Sequence, residues 1–229
     1  MSELDTPFWS SLQTRHAALA IRSGNDAARY PPDFAPFLGV AHAGVVADEA
    51  IAPLVAPGET VLLLGVLPKL SPSWQLETFR PLAQMIRDEP LEMPDGPEII
   101  ALDESHRADV LALVGLVYPH YFRPRTTELG RYFGIYMPDA GGKQRLAAMI
   151  GERLGTDTDT EMSAICTHPD FTGRGYARRL TAFLTNDTLA RGRTPFLHVS
   201  YENPHAKSLY ERIGYRLRRD IPFWALRRA

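Results

Sequence analysis

Ile165-Cys-Thr-His-Pro-Asp-Phe-Thr-Gly-Arg-Gly-Tyr-Ala177 is the stretch that decides the reading of this chain. An apolar β-type run ends at Pro169, passes a short glycine-rich turn and opens directly into a helix. That order aims several backbone N–H groups and the positive end of a helix dipole at one point, which suits a phosphate. Gly173 and Gly175 lack the side chains that would hold a bulky anion away from the backbone. The stretch reads as a cradle for a pyrophosphate.

Spelling separates this loop from two better-known phosphate loops. A nucleotide-hydrolase loop needs Lys-Ser/Thr after its last glycine, and here Gly175 is followed by Tyr176 and Ala177. A dinucleotide loop needs a third glycine where this chain has Arg178. A second block lies downstream. Phe196-Leu-His-Val-Ser200 reads as a short buried strand, and Ala206-Lys-Ser-Leu-Tyr210-Glu-Arg-Ile213 as a short helix ending at the C-cap Gly214.

Together the two blocks resemble the GNAT superfamily of N-acetyltransferases. Its acyl-CoA loop has the pattern Gln/Arg-x-x-Gly-x-Gly/Ala; here Gly175 and Ala177 match, while Thr172 departs from the leading Gln or Arg. Its second pattern, Asn-x-x-Ala-x-x-x-Tyr-x-x-x-Gly-Phe/Tyr, is met in register by Asn203, Ala206, Tyr210, Gly214 and Tyr215. The resemblance covers about residues 97–229 and is closest to the glycine-N-acyltransferase-like branch. It implies an α/β (α+β) fold: a mixed, mostly antiparallel twisted sheet flanked by helices, with splayed central strands.

Composition bounds the rest. A chain of 229 residues, 45% hydrophobic, can hold one large or two small domains. Its one cysteine, Cys166, excludes an internal disulfide and fits a reducing compartment. No apolar run approaches the ~20 residues that span a membrane. The acidic start Met-Ser-Glu-Leu-Asp lacks the basic region of a secretion signal, so the cytoplasm is the expected location. From Gly173 to Ala229, twelve Arg/Lys face four Asp/Glu, although the net charge is −2. Solvated helix faces account for much of this. Arg174, Arg178 and Arg179 are read as local compensation for a polyanionic cofactor. Neither a nucleic-acid partner nor a membrane partner is expected, given a pI near 6.4 and no aromatic-basic repeat.

The chain divides at a proline-rich acidic linker, Asp88–Pro97, into residues 1–93 and 94–229. The first part, a smaller N-terminal α/β unit, has strand-like runs at His16–Arg22, Thr60–Val66 and Trp74–Ile86 and a short helix at Ala47–Val55. Its strand lengths are compatible with a degenerate half of the same fold. The second part, the GNAT unit, begins with a strand at Glu98–Leu102 and a helix over Glu104–Tyr118 capped by Asp103. Strands follow at Tyr132–Met137, Arg145–Leu154 and Glu161–Thr167. Then come a helix over Gly175–Arg191, the second block, and a last strand at Phe223–Arg227.

The resemblance also implies a reaction and a set of roles. Acetyl-CoA, the acyl donor, would lie between splayed strands and pair with the backbone of Ile165, Cys166 and Thr167. Gly173, Arg174, Gly175, Tyr176, Ala177 and Arg178 would hold its pyrophosphate, and Asn203 would contact the pantetheine arm. A small-molecule or peptide amine would attack directly, and the protein is compatible with a homodimer. Tyr210 is the candidate acid for the leaving thiolate, a phenol near pKa 10 against a thiol near 8.5. Two residues compete as base. Glu161 precedes Thr172 by eleven positions and, in simple alternation, shares a face with Ser163 and Ile165. His198 lies five residues before Asn203 and titrates nearer neutrality. His168 reads as a turn residue and Cys166 as a small buried side chain. No metal-ligand spacing occurs among seven histidines and one cysteine, so no metal is expected. The alternative function is a catalytically silent acyl-CoA-binding sensor or scaffold, kept open by Thr172.

Overall fold

The computed structural model describes residues 2–117 and 121–229. Helix α1 (Pro7–Gln13) opens on a proline, which needs no N–H partner there, and buries Phe8 and Leu12. The expected strand at His16–Arg22 is mostly a 3-10 turn, Ala17–Leu19, and only β1 (Ile21–Ser23) is extended. The buried His16 ring bonds the Tyr30 hydroxyl at 2.8 Å and the Leu129 carbonyl at 2.9 Å, and this anchor overrides the local pattern. Strands β2 (Ala27–Arg29) and β3 (Leu38–Val40), too short to show a period, complete a three-stranded sheet with β1. The expected helix at Ala47–Val55 is one turn, α2 (Ala47–Ala50), because Pro53 disfavours helix in the residue before it. After β4 (Thr60–Leu64), the run Trp74–Ile86 breaks at Phe79-Arg80-Pro81 into β5 (Trp74–Thr78) and β6 (Leu82–Ile86), which join different sheets.

Beyond the linker, β7 (Ile100–Leu102) leads into a 3-10 turn, where Asp103 Oδ1 accepts the Ser105 N–H at 2.9 Å, and then into α3 (Arg107–Val117). Tyr118, the expected last residue of that helix, lies outside the described residues. Strands β8 (Tyr132–Pro138), β9 (Gln144–Gly155) and β10 (Asp159–Thr167) form a meander. Helix α4 (Tyr176–Ala190), β11 (Thr194–Ser200), α5 (Pro204–Arg212), β12 (Arg216–Ile221) and β13 (Phe223–Arg228) complete the chain.

Seven strands form the main sheet in the order β12-β6-β11-β10-β9-β8-β7, antiparallel throughout except for β10 and β11. Helix α4 covers one face, laying Leu180 and Leu184 over Met162, Leu197 and Val199. Helix α3 packs Val110, Leu113 and Val114 against Met149 and Cys166. Each large apolar side chain so buried contributes about 1.5–3 kcal/mol.

Sheet pairing crosses the division at residue 93 twice. Strand β6 sits between β11 and β12, with Phe196 opposite Ile86 on one side and Arg216 opposite Ile86 on the other. Conversely, β13 leaves the main sheet and pairs with β4 and β5. Among the described residues, positions before 93 build no second copy of the larger sheet; they supply strands to sheets that the C-terminal residues complete.

Candidate active site

Strands β10 and β11 pair only at their starts, Asp159 with Thr194, Thr160 with Pro195 and Glu161 with Phe196. Beyond that point they separate. Strand β10 stays bonded to β9 through Thr167, and β11 stays bonded to β6 through Ser200. The facing edges of Met162–Thr167 and Leu197–Ser200 are therefore open, a cleft whose backbone groups can pair with an extended guest. Ile165, Cys166 and Thr167 lie along it.

A bulge reshapes the β10 side. Ala164 adopts φ 51°, and the register with β9 slips between Ser163 and Cys166. The slip reverses the alternation expected from sequence. Ile165 packs toward α4, while Ser163, Ala164 and Cys166 line a small cavity together with Arg153. Glu161 thus shares its face with Ser163 and Cys166, not with Ile165. Burial pushes the Cys166 thiol up to about 12, which keeps it protonated and inert as a nucleophile.

At the end of β10 the chain reaches the glycine turn. Gly173 and Gly175 have φ 76° and 80°, the left-handed region that glycine enters without strain. The first intrahelical bond of α4 runs from the Arg179 N–H to the Gly175 carbonyl at 3.0 Å. The N–H groups of Tyr176, Ala177 and Arg178 are left pointing out of the helix end. Arg174 is exposed and lies over the Phe171 ring at 5.0 Å. Arg178 is half exposed, 3.9 Å from Glu92. Arg179 departs from expectation. Its guanidinium donates to the carbonyls of Pro94 and Pro97, fastening the linker to α4, so it does not face the turn. Thr172 donates its hydroxyl to the Pro169 carbonyl at 3.0 Å and so braces the turn itself. His168 is a turn residue whose Nδ1 accepts the Asp170 N–H at 3.2 Å.

Asn203 caps α5, its Oδ1 accepting the Ala206 N–H at 3.1 Å, which orients the amide NH2 outward. Tyr210, in the last turn of that helix, is buried beside Leu197, Val199 and Tyr176. Burial, with smaller contributions from Tyr215 and Cys166, raises its phenol well above the usual tyrosine range. Its hydroxyl makes no hydrogen bond among the described residues. It is a held proton without an internal acceptor.

Glu161 and His198 are brought together, which sequence alone left as alternatives. The Glu161 and His198 side chains are 1% and 2% exposed. Arg153 Nε and Nη2 each donate to Glu161 at 2.9 Å, His198 Nδ1 donates at 2.8 Å and the Leu154 N–H at 3.2 Å. Burial would raise the Glu161 carboxyl, but the Arg153 charge and the bonds from His198 and Arg153 outweigh it and hold it at about 2. All its favourable lone-pair positions are taken. A carboxylate so placed anchors charge; it is a poor proton acceptor. His198 is also spoken for at its other nitrogen, where Nε2 accepts from Gln84 Nε2 at 3.0 Å. The orientation of Gln84 is set by its donation to the Leu4 carbonyl at 2.8 Å and its acceptance from Arg218 at 2.7 Å. That fixes His198 as the tautomer protonated on Nδ1.

Sequence reading missed Arg153, Gln84 and Arg80. A signal existed for the first: Arg153 and Glu161 stand two residues outside the turn Gly155–Asp159 on either side, where a hairpin brings opposite charges together. Gln84 had none, because its partners Leu4, His198 and Arg218 come from three separate segments. A cavity of about 240 Å³ opens beside this network, with Arg153, His198 and Ser200 in one wall. Among the described residues no cluster of His, Cys, Asp or Glu is placed to hold a metal ion, and no helix is long and apolar enough to cross a membrane.

The FR47-like protein family model matches residues 134–224, from β8 into β13. A GNAT-family protein from Novosphingobium aromaticivorans is 32% identical over 100% of this chain and 100% of its own, with a TM-score of 0.86. The chain belongs to the GNAT superfamily of N-acetyltransferases. A GCN5-related N-acetyltransferase from Kribbella flavida shares the fold at 17% identity, over 95% of this chain and 91% of its own, with a TM-score of 0.60. A GCN5-related N-acetyltransferase-like protein from Streptococcus suis does so at 14% identity, over 97% and 94%, with a TM-score of 0.54. A search among curated proteins gave no match. For a GNAT protein the glycine turn passes a direct test of fit. A Cβ placed on Gly173 or Gly175 meets nothing within 4 Å, so the space above both is open to an anion.

Proposed function

We propose that this protein is an acyl-CoA-dependent N-acetyltransferase that moves an acetyl group to a primary amine by direct attack in a ternary complex. The observation that carries the reading is the separation of β10 from β11 after Glu161 and Phe196, next to the exposed N–H groups that open α4. An extended pantetheine arm suits the first feature and a pyrophosphate the second. The Asn203–Tyr215 block supports placement in the glycine-N-acyltransferase-like branch.

Each residue then has a defined task. Ile165, Cys166 and Thr167 offer backbone groups to the arm, Gly173 through Arg178 hold the phosphates, and Asn203 turns its amide NH2 toward the cofactor side. Tyr210 donates its hydroxyl to the departing sulfur. Its raised pKa makes full proton transfer uphill at first, so its contribution starts as a hydrogen bond to developing charge. Glu161 positions Arg153 and His198. Because its lone pairs and those of His198 are engaged, the ammonium proton leaves to water in the cavity, past the exposed Glu202 in the same wall.

The test is amine-dependent release of CoA thiol, run with acetyl-CoA thermal stabilisation. Stabilisation with turnover supports the enzyme. Stabilisation without turnover of any amine supports a silent CoA-binding module. A protein that acetyl-CoA does not stabilise has neither function.

A further inference from the structure

The cavity beside β11 has an unequal distribution of polarity. Its inner end is made by Phe8, Phe37, Leu64 and Phe223, all 7% exposed or less, and Phe79 and Tyr121 add two more rings. Its exposed end carries Arg80, Ser200 and Glu202. Ser200 ends β11, where the cleft is open, so the polar end of the cavity and the open end of the acyl-transfer cleft coincide. Arg153 and Tyr121 form a common wall between this cavity and the smaller one bounded by Ser163, Ala164 and Cys166 of β10.

Arg80 is the informative residue. It lies on the turn between β5 and β6, its guanidinium 4.6 Å from the centre of the Tyr201 ring. It makes no ion pair and no side-chain hydrogen bond among the described residues, whereas Arg153 in the same cavity is neutralised by Glu161. A guanidinium over an aromatic ring spends none of its N–H donors on that contact and can still offer them to a planar carboxylate. Glu202 places the opposite charge at the same rim. A cation and an anion over an aromatic box match a zwitterion with an apolar body. A volume of about 240 Å³ takes one small molecule of this kind.

We propose, resting on the acetyltransferase reading above, that the acceptor is a free α-amino acid with an aromatic or large apolar side chain. The side chain fills the aromatic end, the carboxylate meets Arg80, and the ammonium faces Glu202 beside the cleft. In the reaction the ammonium first loses one proton to water. Its nitrogen then bonds to the acetyl carbon as the carbon–sulfur bond breaks; the sulfur takes its proton from Tyr210, and the second proton that nitrogen loses restores the Tyr210 hydroxyl. The products are an N-acetyl amino acid, CoA thiol and one released proton.

The test compares acetyl-CoA turnover with L-phenylalanine, L-leucine, phenethylamine, glycine and a lysine-containing peptide. L-phenylalanine and L-leucine should be the better substrates. Phenethylamine, which keeps the ring and loses the carboxylate, should show a KM about tenfold higher or more, the scale of one charge-assisted bond. Arg80→Gln should cut the preference for phenylalanine over phenethylamine by a similar factor. Turnover of peptide or phenethylamine in preference to every amino acid would overturn the proposal and leave the acetyltransferase reading intact, as would an Arg80→Gln variant with unchanged preference. If no amine is turned over, saturation-transfer NMR of L-phenylalanine with the CoA-loaded protein decides. Signal that Arg80→Gln removes supports the site, and no signal overturns it.

Discussion

Glu161 and His198, on the two strands that part to form the cleft, share a buried hydrogen bond of 2.8 Å that joins the last paired residue of β10 to a residue of β11 just beyond the pairing. The bond ties the apex of the cleft to Arg153 on β9 and, through Gln84, to β6 and the N-terminal turn. Its role follows from which lone pairs remain. None on Glu161 does, so the carboxylate keeps the cleft shaped and its charge balanced.

Glu161→Gln should therefore act on stability first. It removes the charge that accepts from Arg153, His198 Nδ1 and the Leu154 N–H, a loss of about 1–3 kcal/mol that denaturant unfolding would read. Residual activity per folded molecule should keep the wild-type pH profile. A profile whose acidic limb shifts would make Glu161 the base.

Acid should unfold the protein partly through the same group. The Glu161 carboxyl is lowered from 4.5 to about 2 in the folded state, so its contribution is fully present above the unfolded value. As pH falls from about 4.5 toward 2 that contribution is lost. A Glu161→Gln variant should show a flatter fall in stability across this window when both are followed by circular dichroism.

Tyr210→Phe removes a hydroxyl that makes no hydrogen bond among the described residues, so folding stability should change by less than about 1 kcal/mol. Turnover should fall by about 10²–10⁴ while acetyl-CoA binding holds. A fully active variant would make the hydroxyl merely structural.

Gly175 separates strain from charge. Gly175→Ala, at φ 80° with open space around the new Cβ, should cost about 1 kcal/mol and keep the acetyl-CoA thermal shift. Gly175→Glu should fold as well as the alanine variant and lose that shift. Its retention would move the pyrophosphate elsewhere.

Residues 94–229 expressed alone should not fold. Without β6, strands β11 and β12 face each other across an empty position, and β13 lacks both partners. A dispersed amide NMR spectrum from that fragment would show that the GNAT unit is independent after all.

The sequence by itself determined what depends on local order. The turn at Gly173 and Gly175 needs two left-handed residues before a helix, and the block from Asn203 to Tyr215 needs a cap, a helix and a C-cap glycine at fixed spacing. Backbone chemistry within a dozen residues settles both, so both were legible, as was the mixed sheet that the same family pattern implies. Only the tertiary structure decided the rest. That β6 enters the main sheet while β13 leaves it is a choice among long-range pairings, for which a five-residue apolar strand carries no address. The bulge at Ala164 reverses which β10 side chains line the small cavity beside Arg153, and no alternation rule anticipates an extra residue. Glu161 and His198, 37 positions apart, became one hydrogen-bonded pair only because β10 and β11 lie side by side at their starts, and there the Arg153 charge and the bonds from His198 and Arg153 keep the Glu161 carboxyl ionised against its burial.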